Sequence, residues 1–237
     1  MKKILMLMLT IGLALSLLVA CAGEEPVSEE VEETVEEIIE EPVEDVADDG
    51  QEVEYDMVAD AAQGRDGNGN VDYVVELDME GYGVITIGLD ATYAPITVEN
   101  FVKLVDEGFY DGLTFHRIIE GFMMQGGCPY GNGGGGSGEH IIGEFRSNGI
   151  ENPGRHYRGA ISMARTPDPN SASSQFFIVH QDHFGLDDDY AVFGHVLSGM
   201  EVVDAIVTTA EVVPDSDGAV MPENQPVIHS ARVIERR

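Results

Sequence analysis

Downstream of residue 70 the chain repeatedly switches between two hydrophobic periods. Val71 to Met79, VDYVVELDM, and Tyr82 to Leu89, YGVITIGL, are rich in β-branched residues and are separated by Glu80-Gly81, which predicts a hairpin. Val98, Phe101, Val102 and Val105 then recur at i, i+3, i+4 and i+7, the stripe of an amphipathic helix. Thr97 is placed to cap it and Gly108 to end it. LTFHRII, GAISMA, SQFFIVH and YAVFGHVL return to short strand-like runs. GNGGGGSGEH reads as a glycine loop. Gly199 to Thr208 carries Met200, Val203, Ala205 and Ile206 as a second short helical face, and VIHSARVIE closes the chain as a strand. Many short strands with turn signals and only two helices predict a mainly β fold, an antiparallel barrel or sandwich. Closing a barrel would require the last strand to pair with the early hairpin.

The first 70 residues follow other rules. Lys2 and Lys3 precede an apolar run from Ile4 to Ala20, too short to span a bilayer comfortably and of the length of a signal peptide. Leu18-Val19-Ala20-Cys21 resembles the lipobox of bacterial lipoproteins. That resemblance implies cleavage before Cys21, a diacylglycerol on its thiol and a further acyl group such as palmitate on the new amine. Two or more acyl chains hold a protein stably on a membrane, where one does not. The expected location is the extracytoplasmic face of a bacterial cell membrane. The expected boundaries are 1–20 for the signal peptide, 21–70 for the lipidated cysteine and its linker, and 71–237 for the folded domain.

Charge sharpens the division. The net charge is -32, and 18 of the 44 acidic residues lie between Glu24 and Asp60, a stretch without Lys or Arg. Val31, Val35, Ile38 and Ile39 have helical spacing there, but the stripe is narrow, Pro26 and Pro42 bracket it, and acidic neighbours repel. Disorder is the expectation, and a coil of 49 residues from Ala22 to Asn70 would reach roughly 35–42 Å. The sign of the charge excludes a nucleic-acid partner. With Cys21 consumed by processing, Cys128 is left alone and no disulfide is expected within one chain. GRDGNGNVD, residues 64 to 72, imitates a calcium loop but has Val71 where the turn needs Gly and Leu77 where a bidentate Glu belongs, so it reads as a turn. His180 and His183 have metal-like spacing without a third ligand, and read as a surface turn.

The chemistry-bearing segment is FHRIIEGFMMQGG, residues 115 to 127, where one arginine stands among apolar residues. On its own Arg117 could be a snorkelling or ion-paired strand residue, and Phe122, Met123 and Phe177 could be plain core. The glycines flanking Phe122-Met123 favour an exposed pocket.

Taken with the glycine loop, GAISMARTPDPNSASSQFFIVH and LDDDYAVFGHVLSGMEVVDAI, this segment resembles the cyclophilin family of peptidyl-prolyl cis-trans isomerases, collinearly from about Val71 to Glu235. The resemblance implies a closed eight-stranded antiparallel β-barrel with two capping helices, and clients that are proline-containing polypeptides. It implies Arg117 as the catalytic donor and a proline slot of Phe122, Met123, Phe177 and Leu186. Gln125 would bind near the substrate backbone or orient the arginine, and His116, Gln175 and Tyr190 would be further groove positions. Ala164 and Arg165 would bind the residues before proline. Gly185 stands where many eukaryotic members have tryptophan, which implies weak cyclosporin binding, and Arg165 replaces a common asparagine. No cofactor or metal is expected, because bond rotation needs neither, and a monomer is expected. The competing reading is a proline-peptide binding or envelope scaffold module without turnover.

Overall fold

A computed structural model describes residues 70–237. Cys21, the signal segment, the acidic linker and most of the calcium-loop imitation lie outside the described residues. Eight strands form one antiparallel sheet: β1 (Tyr73–Met79), β2 (Gly83–Leu89), β3 (Phe115–Ile119), β4 (Met123–Gly126), β5 (Ala160–Met163), β6 (Phe176–Val179), β7 (Val192–Ser198) and β8 (Ile228–Arg236). Two α-helices accompany them, α1 (Pro95–Asp106) and α2 (Met200–Thr209). The spatial order is β3-β4-β6-β5-β7-β2-β1-β8.

The predicted hairpin is β1 and β2, and the last strand does pair with it, Leu77 facing Ala231. That pairing does not close a barrel. β3 and β8 are the two ends of the strand order, so the sheet is a curled half-barrel. The ends meet only where the chain enters them: Phe115 N donates to Pro226 O at 3.0 Å and Ile228 N to Leu113 O at 2.8 Å. Further along, the loop before β8 takes the free edge of β3. Ile118 N donates to Gly218 O at 2.7 Å and Val220 N to His116 O at 3.0 Å. Gly218 has φ +78°, and a Cβ there would press into the Ile118 carbonyl at 2.8 Å. A positive φ and that close approach both favour glycine.

β4 is a strand the sequence pattern does not announce. Met123-Met124-Gln125-Gly126 is only four residues long and its period is masked by two adjacent buried methionines. Gly121, φ +76°, turns the chain between β3 and β4, so that glycine serves a hairpin turn. Met123 is accordingly only 1% exposed.

The core is aromatic where α1 lies on the sheet. The Phe101 ring sits 5.0 Å from Tyr110, 5.4 Å from Phe176 and 5.2 Å from Phe193. Such tilted and edge-on pairs add about 0.5–1.5 kcal/mol beyond their burial. Thr97 does not cap α1. The helix begins two residues earlier at Pro95, whose ring presets φ and which has no N–H to satisfy. The cap comes from a distant carboxylate instead. Glu144, 2% exposed, accepts from Ile96 N, Thr97 N and the Thr97 hydroxyl at 3.1, 2.8 and 2.7 Å. A negative group at a helix N-terminus also meets the positive end of its dipole.

Glu144→Ala should therefore leave two buried donors of Thr97 and the part-buried Ile96 N–H without their partner and lower stability by roughly 2–3 kcal/mol. A shift in urea midpoint at unchanged slope measures this, and a shift of a few tenths of a kcal/mol would remove Glu144 as the cap.

Candidate active site

The antiparallel register lines up one row of side chains across four strands. Arg117 on β3 faces Gln125 on β4, Gln125 faces Phe177 on β6, and Phe177 faces Ser162 on β5. Directly opposed residues share a face of the sheet. The row ends in a concavity of about 320 Å³ lined by Arg117, Phe122, Met123, Phe177, Leu186 and Tyr190, among others. It also touches Gln125, Ala164, Arg165 and Asp217.

Arg117 is held along one edge of its guanidinium. Nε donates to the Asp217 carbonyl at 2.8 Å and Nη2 to the Asp217 carboxylate at 2.7 Å. Nη1 remains over the slot, 3.8 Å from Met123 Sδ, and Cζ lies 5.9 Å from the Phe122 ring centre. Asp217 stands on the loop that occupies the β3 edge, 100 residues away in sequence, so no local signal pointed to it. Gln125 does not orient the arginine. Its Nε2 donates to Gln175 Oε1 at 2.9 Å, and Gln175 donates in turn to the carbonyls of Gly133 and Gly135. The pair ties the glycine loop to the floor of the groove.

The predicted residues thus divide. Arg117, Phe122, Met123, Gln125, Ala164, Arg165, Phe177, Leu186 and Tyr190 meet at the slot. Gln175 borders a neighbouring concavity formed with Gly133 to Gly136, which shares Gln125, Ala164 and Arg165 with the slot. His116 is 6% exposed and packs beneath the same loop, beside Gly133, in a further concavity that shares Arg117, Gln125 and Asp217 with the slot. Burial, and then the charge of Arg117, pull its pKa down. Phe184, next to Gly185, turns away from the slot and stacks on Arg155 at 4.3 Å.

Two histidines beneath the slot carry structural work that spacing did not reveal. His180 is buried rather than on a surface turn, and its Nδ1 accepts from Gly121 N at 2.9 Å, pinning the β3–β4 turn. Among the described residues no three His, Cys, Asp or Glu side chains group as a metal site. His156 stacks on Phe177, centroids 5.8 Å apart and planes 13° off parallel. Its Nδ1 lies 2.9 Å from Asp187 Oδ1, which as a carboxylate accepts, so Nε2 accepts from the Ser162 hydroxyl at 3.1 Å. The order Ser-His-Asp looks like a hydrolase triad. Ser162 and His156 are both fully buried, however, so no substrate carbonyl reaches the hydroxyl. The chain of bonds braces the Phe177 wall. Burial holds the His156 pKa below its ordinary value despite the Asp187 bond, whose carboxylate is also shared with Arg155.

Comparison with known proteins agrees with this geometry. The family described as "Cyclophilin type peptidyl-prolyl cis-trans isomerase/CLD" matches residues 74–233. The chain belongs to the cyclophilin family. This cyclophilin is 53% identical over 108 residues to peptidyl-prolyl cis-trans isomerase B of Bacillus subtilis, covering 46% of the chain and 72% of that relative. It is 42% identical over 161 residues to peptidyl-prolyl cis-trans isomerase A of Dickeya dadantii, covering 65% of the chain and 81% of the relative. It is also similar to the crystal structure of a Cryptosporidium parvum cyclophilin in the presence of the dipeptide Ala-Pro, with TM-score 0.60, 27% identity, and coverage of 69% of this chain and 99% of that one. The activity that accompanies the family is isomerisation of X–Pro bonds.

Because His156 is neutral in the fold and titrates near pH 6.5 when unfolded, the unfolded state binds more protons on acidification. Stability should be fully present above about pH 6.5 and fall as pH drops below it, with His116 acting in the same direction. Urea midpoints between pH 7.5 and 5 test this, and a flat profile across that window would contradict a buried neutral His156.

Proposed function

We propose that this cyclophilin accelerates X–Pro rotation through Arg117, and that it does so while tethered by a lipid at Cys21 outside the cytoplasmic membrane, on secreted or cell-envelope clients. The observation that carries the catalytic part is the edge-on hold of Arg117 by Asp217, which leaves Nη1 beside Met123 over a slot of about 320 Å³ with Phe122, Phe177 and Leu186 in its walls.

The chemistry follows from the peptide bond. Rotation meets a barrier of about 18–20 kcal/mol because the C–N bond has partial double-bond character, and uncatalysed X–Pro exchange takes tens to hundreds of seconds. In the twisted transition state the nitrogen loses conjugation and regains a lone pair. A donor aimed at that nitrogen stabilises the twisted form more than either planar form, which is the condition for catalysis. Each 1.36 kcal/mol gained there is about tenfold in rate. An arginine is permanently protonated and presents donors in a fixed plane. Asp217 completes the arrangement by fixing that plane. The ring of proline is held by Phe122, Met123, Phe177 and Leu186, and the amide bond before it rotates past the Arg117 donor. The mechanism needs no nucleophile and no cofactor, since no covalent bond is made or broken.

The tether rests on sequence: the Leu18-Val19-Ala20-Cys21 pattern and the acidic segment that follows it. In this reading the acidic segment is a spacer that holds the domain off an anionic surface by like-charge repulsion.

Two measurements test the proposal. Arg117→Ala should lower kcat/KM for a short X–Pro peptide by about two orders of magnitude or more, read by NMR exchange, with the urea midpoint little changed. Wild-type protein that leaves exchange at its spontaneous rate would sink the catalytic reading in favour of a peptide holder. Cys21→Ala should release the chain from the membrane fraction of a bacterial host, and a cleaved product that stays membrane-bound would reject the lipid.

A further inference from the structure

The described domain has 25 carboxylates against nine Lys and Arg side chains. With so many partners available, eight of those nine cations pair with a carboxylate within 4 Å: Lys103, Arg117, Arg146, Arg155, Arg158, Arg232, Arg236 and Arg237. Arg165 is the exception among the described residues, and it stands in the groove.

Nor is Arg165 a loose surface side chain. Nε donates to the Asp189 carbonyl at 2.9 Å and Nη1 to the Thr166 carbonyl at 3.0 Å. Its guanidinium lies between two rings, 4.9 Å from Phe145 and 4.7 Å from Tyr190. Two neutral carbonyls and two aromatic faces fix a cation without cancelling its charge. Nη2 makes no hydrogen bond to a described residue. The site is shared by the proline slot and by the adjoining concavity beside Gly133 to Gly136. A peptide running from one to the other passes Arg165.

We infer that Arg165 is a specificity determinant that recognises a carboxylate side chain on the residues just before proline, so that acidic X–Pro segments are the preferred substrates. The inference rests on the isomerase reading above and adds the substrate class. The sign of the effect is diagnostic. The domain as a whole is negative and should favour cationic peptides and repel anionic ones. A preference for acidic peptides must therefore come from a local contact strong enough to reverse the overall field. Glu-Glu-Pro-Val, a sequence the chain itself carries at 24–27 and 40–43, is a suitable probe.

The test compares capped Glu-Glu-Pro-Val, Gln-Gln-Pro-Val and Lys-Lys-Pro-Val with the purified full-length chain, each scored as kcat/KM by NMR exchange. The expected order is Glu above Gln above Lys, with Glu exceeding Gln by about three- to tenfold, the range of a partly exposed charge-assisted bond. In Arg165→Gln the Glu peptide should drop below the Gln peptide, and Arg165→Lys should keep Glu first. Equal or reversed rates in wild type, while turnover is observed, overturn the inference, as does an acidic preference that survives Arg165→Gln. If none of the peptides is turned over, the isomerase reading fails separately, and the order of their dissociation constants, by chemical-shift titration, decides the same question. If Arg165→Gln does not fold, the wild-type order against the field still decides it.

Discussion

The working geometry depends on how the free edge of β3 is satisfied. A strand at the end of a sheet has unpaired backbone groups that need partners. Here they are supplied by Gly218 and Val220 rather than by β8. That choice leaves the half-barrel open in strand order, and it brings Asp217 alongside Arg117. One loop thus protects an edge, orients a guanidinium and forms a wall of the slot. A fully closed barrel, with β8 laddered along β3, would leave no place for it.

The groove uses two arginines in opposite ways. Arg117 is aligned by a carboxylate that engages one edge of its plane and leaves another over the slot. Arg165 is aligned by carbonyls and rings that do not neutralise it. Both are rigid, which matters because a donor helps rotation or recognition only when its ordering is completed before the substrate arrives. Beneath them, the Asp187–His156–Ser162 chain keeps the Phe177 wall in place through hydrogen bonds that are complete inside the fold.

Much of the fold was legible from period and punctuation. The β1–β2 hairpin, the stripe of α1, α2 after Gly199, and seven of the eight strands follow from local pattern. β4 was missed because four residues, three of them buried, have no readable alternation. The start of α1 was misplaced because its cap is Glu144, more than forty residues away. Of the site, Arg117 and the slot residues were accessible through their motifs. Asp217 and His156 were not, since each acts through a partner brought near by folding.

The amino-acid sequence by itself determined the strand-rich class, the family, the lone cation in an apolar run, and the split between an acidic N-terminal stretch and a folded domain. The family follows from the resemblance of several collinear motifs, and the rest are properties of composition and short-range period, all of which survive without knowledge of contacts. Tertiary structure alone decided that the barrel is open, that Gln125 serves Gln175 rather than Arg117, that His116 lies under the loop, and that among the described cations Arg165 alone lacks a carboxylate. These depend on register and on which distant groups share one small space, and no local spacing encodes either.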